Sequence, residues 1–570
     1  MGALAVLLLA GCASDLRAPA TDSSDTVSPV TAQADAGLEY VGAGGTLYVV
    51  AQTHPAASDE GPGTAERPWR TIGRAARQMR PGDAVRIHAG VYRETVAPLR
   101  GGTGEDARIT YAAAPGERVV VTGADPVPDG WRADGPGRWR RAWIFGPQPT
   151  YSDDPVFRRE LAVAAGRVLR PVASTSDLAP GTMHVAGPDT APTAITLHLP
   201  DGVRPADVEV ATRQRLFWPE GATPFVPCGD ASQPSWLRVV GITFRHAANR
   251  AQWGAVCAGA SHGLWEDVTV EWTIGLGVDT SGRDHVFLRV ASTDHGQMGW
   301  GGQSERLLLE DTRAERNNWR GHDPFWEAGG GKWLRTRESV FRRHTAVGNG
   351  GPGLWLDTDN EANTVEGGRF VDNDIAGVML ELNTTRTLVQ HNVITGTRWR
   401  TWSGAGVLSQ AASDNLILHN TISGNAGTGV WLRLDPERRA LDARTVVAAN
   451  WIVGNAADAP EAREVSVEGT SRDNVASHRF AENGVGRRTG DPLWHSSFFA
   501  LAVDGSGDVR TNDAGAWRRM VRDRGSRLVT PGDAPFFVRL DEGFDGYGAV
   551  GAPPRLWTRA GADPSRVAGG

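Results

Sequence analysis

The feature of this 570-residue chain that most limits its possible folds is a repeat running from residue 239 onward. Stacked by eye, VVGITFRH, WEDVTVEW, LRVASTDH, EDTRAERN, RRHTAVGN, EGGRFVDN, QHNVITGT, LHNTISGN and AANWIVGN share one register. Their third positions are Gly241, Asp267, Val290, Thr312, His344, Gly368, Asn392, Asn420 and Asn450, at intervals of 26, 23, 22, 32, 24, 24, 28 and 30 residues. A basic period of 22 to 24 with longer excursions marks a solenoid with loop insertions. Short β-branched runs bounded by Gly and Asn specify strand and turn, and no run is long enough for a helical repeat. Asn and Gly at matching turn positions suit left-handed backbone, and stacked Asn side chains can form a hydrogen-bonded ladder. The expected fold is all-β, a right-handed parallel β-helix, with Asn392 and Asn420 stacked at one turn.

The remaining segments are organised around this coil. Trp69, Ile72, Ala75, Ala76 and Met79 fall at helical spacing, and Pro81-Gly82-Asp83 stops that helix. Such a helix can cover the open end of stacked strands. Residues 45–125 are therefore read as a cap helix and first rungs. Residues 126–222 break the rhythm with Pro, Asp and Trp and include the strand-like AITLHLP and DVEVATR, which predicts an inserted β subdomain. The main coil occupies 223–475, and 476–570 supply C-terminal rungs and a cap. At the start, MGALAVLLLAGCASD resembles a bacterial lipobox, so residues 1–12 read as a lipoprotein signal with Cys12 as the lipidated residue. Residues 13–44 are Ser/Thr/Pro/Ala-rich and read as a flexible tether. This address implies the cell envelope, lipid-anchored at the periplasmic or outer surface, with secretion as the alternative. Cys228 and Cys257 are then either a disulfide or two buried thiols.

Within the coil, GLWLD at 353–357 returns as GVMLE at 377–381, 24 residues later. Equivalent positions on adjacent rungs lie one strand spacing apart, about 4.8 Å. Asp357 and Glu381 should therefore project side by side, with Gln410 of GVLSQ and Arg433 of GVWLR continuing the column. Stacked like charges on neighbouring strands cost stability. Two carboxyl groups about 5 to 5.5 Å apart are the arrangement of a retaining glycosidase, in which repulsion raises the pKa of the acid member. The bland alternative is a pair of solvent-facing acids bridged by Arg or Ca²⁺. All but one of the chain's 59 basic residues are arginine, and the exception is Lys332. Lysine offers a compact point charge where arginine offers a planar fork.

FWEAGGGKW (325–333), GLWLD and MLELN together resemble the β-helix β-xylosidases of glycoside hydrolase family 120. The resemblance spans roughly residues 46–125 and 239–395. It implies that Asp357 is the nucleophile and Glu381 the acid/base, with Glu327 and Lys332 in a preceding substrate-contacting element. FRHAANRAQWGAV (244–256) also resembles a family stretch near the site, which makes His246 and Trp253 candidates. His322, Asp323, Trp326 and Trp355 complete the expected sugar subsite, since Trp faces stack on sugar C–H surfaces. The chain departs from the family pattern in TDNEAN after GLWLD and TTRT after MLELN, which leaves the sugar open.

A net charge of −7 without a basic block argues against nucleic acid as a partner and leaves the membrane to the lipid anchor. The expected partner is an oligo- or polysaccharide. The leading expectation is a retaining exo-acting, xylosidase-like glycoside hydrolase needing no cofactor. One alternative is a polysaccharide lyase on a uronate polymer, with Lys332 as base and Ca²⁺ held by Asp357, Asp359 and Glu361. The other is a non-catalytic carbohydrate-binding surface protein on the same scaffold.

Overall fold

In the computed structural model, residues 40–528 are described apart from 43, 151–154, 223–225, 436–441, 457–462, 487–498, 504–506, 512–516, 520 and 525–526. Cys12, the tether before residue 40 and the chain beyond 528 lie outside the described residues. The chain coils into a right-handed parallel β-helix whose three long faces are sheets of 14, 13 and 11 strands among the described residues. Each turn of the coil contributes one short strand to each face. The first face runs from Leu47–Val50 to Arg522–Arg524, the second from Gly90–Tyr92 to Arg527–Leu528, and the third from Gly254–Cys257 to Gly507–Thr511. Strands such as Val365 in Thr364–Glu366 and Phe370 in Arg369–Val371 point one apolar residue inward, and these residues form a single fully buried cluster along the axis. Burying about 1.5 to 3 kcal/mol of apolar side chain at each inward position is what holds the rungs together.

The cap helix is Ile72–Gln78. Thr71 accepts from the Arg74 amide at its start, and Glu94 accepts from the amides of Ile72 and Gly73 at 2.9 and 2.7 Å. Its Ile72, Ala75 and Ala76 face, flanked by Trp69 and Met79, packs into the main core, as the helical spacing requires. The second turn of the coil is interrupted after Val119–Thr122. Residues 124–211 form two separate, largely antiparallel sheets of four and five strands around their own core, which includes Ile195, Leu197, Val208 and Val210. The chain rejoins the coil at Phe217, which bridges Val96 on one side and Val256 on the other. Cys228 and Cys257 form a disulfide with Cα atoms 5.6 Å apart, beside Trp218.

Corner chemistry fixes the register. Asn392 donates to Asn420, Asn420 to Asn450 and Asn450 to Asn483, each at 3.0 Å, so the ladder expected from sequence is present. One register detail differs. Gly241 and Asp267 occupy the preceding corner, paired with the Arg289 position, and the column that leads to the Asn ladder instead contains Ile242, Val268 and Val290. Both residues have positive φ (70° and 55°), so their turn-forming character places them one step earlier than the eye does. In that corner column the signs alternate: Arg289 pairs with Asp267, and Arg343 with Asp311, at 2.7 and 2.6 Å. Opposite charges also stack where Glu310, Arg342 and Glu366 follow one another, as cross-strand energetics favour.

Asp442 is among the buried acids of the coil. Asp442 accepts from Thr445 Oγ1 at 3.0 Å and from Ser409, and burial pushes its carboxyl up to about 8. Its folded pKa exceeds the unfolded value of about 3.9, so the native state holds an extra proton between these values. The resulting stabilisation is complete below about pH 4 and is lost as pH rises through 8, at most about 1.4 kcal/mol per pH unit. Thermal melts from pH 5 to 8 should therefore fall more steeply for the parent than for Asp442→Asn, which cannot ionise.

Candidate active site

The third face carries the acids. Leu354 and Leu356 of Leu354–Asp357 point into the core, so Trp355 and Asp357 point out. One rung on, Val378 and Leu380 of Ile375–Glu381 point in, and Met379 and Glu381 out. The strands pair in parallel with Leu356 opposite Leu380, so Asp357 and Glu381 follow at the equivalent step. Glu381 then pairs with Gln410, and Gln410 with Arg433. The outward column therefore reads acid, acid, amide, cation.

The outside of this face is walled rather than open. Trp355, Ile375, Ala376, Met379, Ala405 and Leu408 form a second apolar cluster outside the coil, covered by Phe325, Trp402 and Trp431. Trp431 lies on the strand Val430–Arg433, whereas Phe325 and Trp402 come from excursions in the repeat. The 32-residue interval before His344 contains Asn317–Ala328 and its short helix Pro324–Glu327, and the 28-residue interval before Asn420 contains Trp399 and Trp402. Asp357 and Glu381 are each only 7% exposed, and Lys332 5%.

Lys332 lies on the preceding strand, Gly329–Leu334, opposite Trp355. Its Nζ is 2.9 Å from Asp357 Oδ2, 3.5 Å from Glu327 Oε1 and 3.9 Å from the centre of the Trp355 ring. Burial raises the Glu327 carboxyl above its ordinary value, opposed by Lys332 and by a hydrogen bond to Gln252. Trp355 Nε1 donates to Glu381 Oε2 at 3.0 Å, and Gln410 Nε2 donates to Glu381 Oε1 at 3.2 Å. Thr358 donates to Asp357 Oδ1 at 2.9 Å. Lys332 thus contacts Asp357, whereas Trp355 and Gln410 donate to Glu381, so the two carboxylates have different neighbours. Lys332→Arg should lower kcat/KM by about 100-fold or more, because a planar fork misplaces the charge between Asp357 and Glu327. Steady-state kinetics beside a melt showing only a small loss of Tm would separate that from unfolding.

The other expected contacts are placed as follows. Glu327, Lys332 and Trp355 join the carboxylates. His322 and Trp326 pack against Phe157 of the inserted subdomain, each ring centre 5.0 Å away, and so brace the loop that carries Glu327. Asp323 accepts from the Phe325 amide at 2.9 Å and caps the short helix. Trp253 is exposed between Arg215 and Arg250. His246 is buried in a corner, and burial pushes its pKa down to about 3. The stretch around it reaches the site instead through Gln252, whose amide donates to Gln297, which in turn donates to the Glu327 carbonyl at 2.6 Å. Asp357, Asp359 and Glu361 do not converge as calcium ligands. Asp359 accepts from Asn383 at 3.0 Å, Glu361 pairs with Arg337 and Arg386, and no group of three metal-binding side chains exists among the described residues.

The fold is shared with solved parallel β-helix proteins, among them carbohydrate-active ones. The solved structure of XylC with xylose superimposes with a TM-score of 0.59 at 17% identity, covering 87% of this chain and 88% of that one. A structure titled glycoside hydrolase aligns at 0.39 and 12% identity over 86% of this chain and 97% of that one. Residues 314–485 match the family model described as periplasmic copper-binding protein (NosD). That segment contains no cysteine, and its stacked His391 and His419 have no third donor among the described residues, so the side chains present do not fit a copper site. An 82-residue stretch is 37% identical to the uncharacterized protein YwoF of Bacillus subtilis (strain 168), spanning 14% of this chain and 16% of that protein.

Proposed function

We propose that the protein is a retaining, exo-acting glycoside hydrolase on complex carbohydrate, xylosidase-like in its site. The observation that carries this reading is the pairing of Asp357 and Glu381 on adjacent rungs, one held by Lys332 and the other by Trp355 and Gln410. Their rung separation of about 4.8 Å suits the carboxyl spacing of double displacement. Like charges stacked on adjacent strands cost stability, so two adjacent buried acids are an arrangement that stability alone does not select. The resemblance to the family 120 β-xylosidases supports the same assignment of roles.

In the first step an Asp357 oxygen attacks the anomeric carbon while Glu381 gives its proton to the departing glycosidic oxygen. The carbon–oxygen bond to the leaving group breaks as the glycosyl ester forms. In the second step water attacks the same carbon, its proton passes to Glu381, and the ester bond breaks to free Asp357. Lys332 orients the attacking carboxylate, and Glu327, more readily protonated than usual, is suited to meet sugar hydroxyls.

The lyase alternative requires Lys332 to face a substrate proton, whereas its ammonium is engaged by Asp357 and Glu327. The disulfide suits an oxidising compartment, and we place the protein at the bacterial cell envelope, anchored through Cys12. A screen of the purified protein on aryl glycosides, in parallel with uronate polymers followed in the ultraviolet, tests the proposal. Phenol release supports it. Unsaturated product, or binding without turnover, replaces it by the lyase or binding reading.

A further inference from the structure

We propose that Gln410 and Arg433 are positioning residues that set the proton affinity of Glu381. The inference rests on Glu381 being the acid/base. A glutamine amide can present either its oxygen or its nitrogen, and the neighbours decide which. Arg433 has donors only, and its Nη1 lies 2.6 Å from Gln410 Oε1. That contact commits the Gln410 nitrogen to Glu381 Oε1, 3.2 Å away. The amide therefore acts on Glu381 only as a donor, and a donor favours the ionised carboxylate.

Arg433 is itself held in place. Its guanidinium lies 4.0 Å from the Trp402 ring centre and 5.1 Å from that of Trp431, and 4.0 Å from Glu468 Oε2. Trp431 Nε1 donates to Glu468 Oε1 at 2.8 Å. Trp402 stacks on Phe325, 4.8 Å between centres, in the helix that carries Glu327. The cation is thus fixed two rungs from Glu381, with one amide between them. An arginine at position 410 would pair directly with Glu381 and hold it ionised, unable to protonate a leaving group. The interposed amide passes on a weaker pull from Arg433 than a direct ion pair would, and that pull favours the carboxylate needed for the second step.

The test compares the parent with Gln410→Met, Arg433→Met and Arg433→Lys. Loss of the donor should raise the Glu381 pKa by about one unit, so the alkaline limb of kcat/KM moves up by that amount in Gln410→Met. Arg433→Met should shift it in the same direction by less, and Arg433→Lys should restore most of the parent profile. The same variants are titrated by carbon-13 carboxyl resonances with Glu381 assigned. A uniform fall in kcat at all pH values with an unmoved limb and unmoved resonance would overturn the relay. A shifted resonance in a protein that hydrolyses no glycoside would keep the relay and reject the hydrolase reading.

Discussion

With Asp357 as the proposed nucleophile, Asp357→Ala is expected to lower turnover of every glycoside substrate by about 10⁴-fold or more. Azide or formate should restore part of that rate on substrates with good leaving groups, by attacking from the space the carboxylate vacated. The azide product should have the anomeric configuration opposite to that of the substrate, because the small anion makes a single displacement. Proton NMR of the product reads this directly. Repulsion between stacked acids predicts that removing either one spares stability or improves it. The ion pair changes this for Asp357: the variant leaves the buried Lys332 with Glu327 alone, 3.5 Å away. A cost of about 1 to 3 kcal/mol is expected, readable as a lower Tm. No rescue by azide, with the fold intact, would remove Asp357 from the nucleophile's role.

Glu381→Gln separates the two steps. Substrates whose leaving group departs without a proton should keep most of their glycosylation rate, whereas alkyl glycosides or disaccharides should lose about 10² to 10⁴-fold. Hydrolysis of the ester also needs Glu381 as base, so activated aryl glycosides should show a burst followed by a slow steady state. The alkaline fall of kcat/KM in the parent, assigned to ionisation of Glu381, should disappear in the variant. Equal losses on all leaving groups, without a burst, would mean that Glu381 binds rather than transfers protons. The amide should also exchange hydrogen bonds with Trp355 Nε1 and Gln410 less favourably, since both now donate to Glu381.

Residue spacing alone carried the coil, the cap helix, the Asn ladder and the adjacency of Asp357 and Glu381. Each of these follows from a strict geometric period. An inward residue every second position and a return every rung leave few other ways to bury the apolar runs. The slip at Gly241 and Asp267 shows where that logic weakens, because turn-forming residues occur at two successive corner positions. Gln410 and Arg433 are visible in the same column of the sequence, but their roles are not. The amide's orientation depends on Arg433 being held by Trp402, Trp431 and Glu468, residues brought together only by stacking.

Side chains on the excursions follow no period that fixes their surroundings. His246 and Asp323 have the chemistry of substrate contacts, yet one is buried in a corner and the other caps a helix. Gln252 and Gln297, which reach Glu327, have no distinctive spacing at all. The periodic strands are governed by local geometry, so sequence by itself determined which residues face outward and which rungs are neighbours. The loops follow no period, and their conformations are set by what they pack against. Only the tertiary structure decided that Phe157 of the insertion braces the loop carrying Glu327 and that the chain's single lysine lies between two acids.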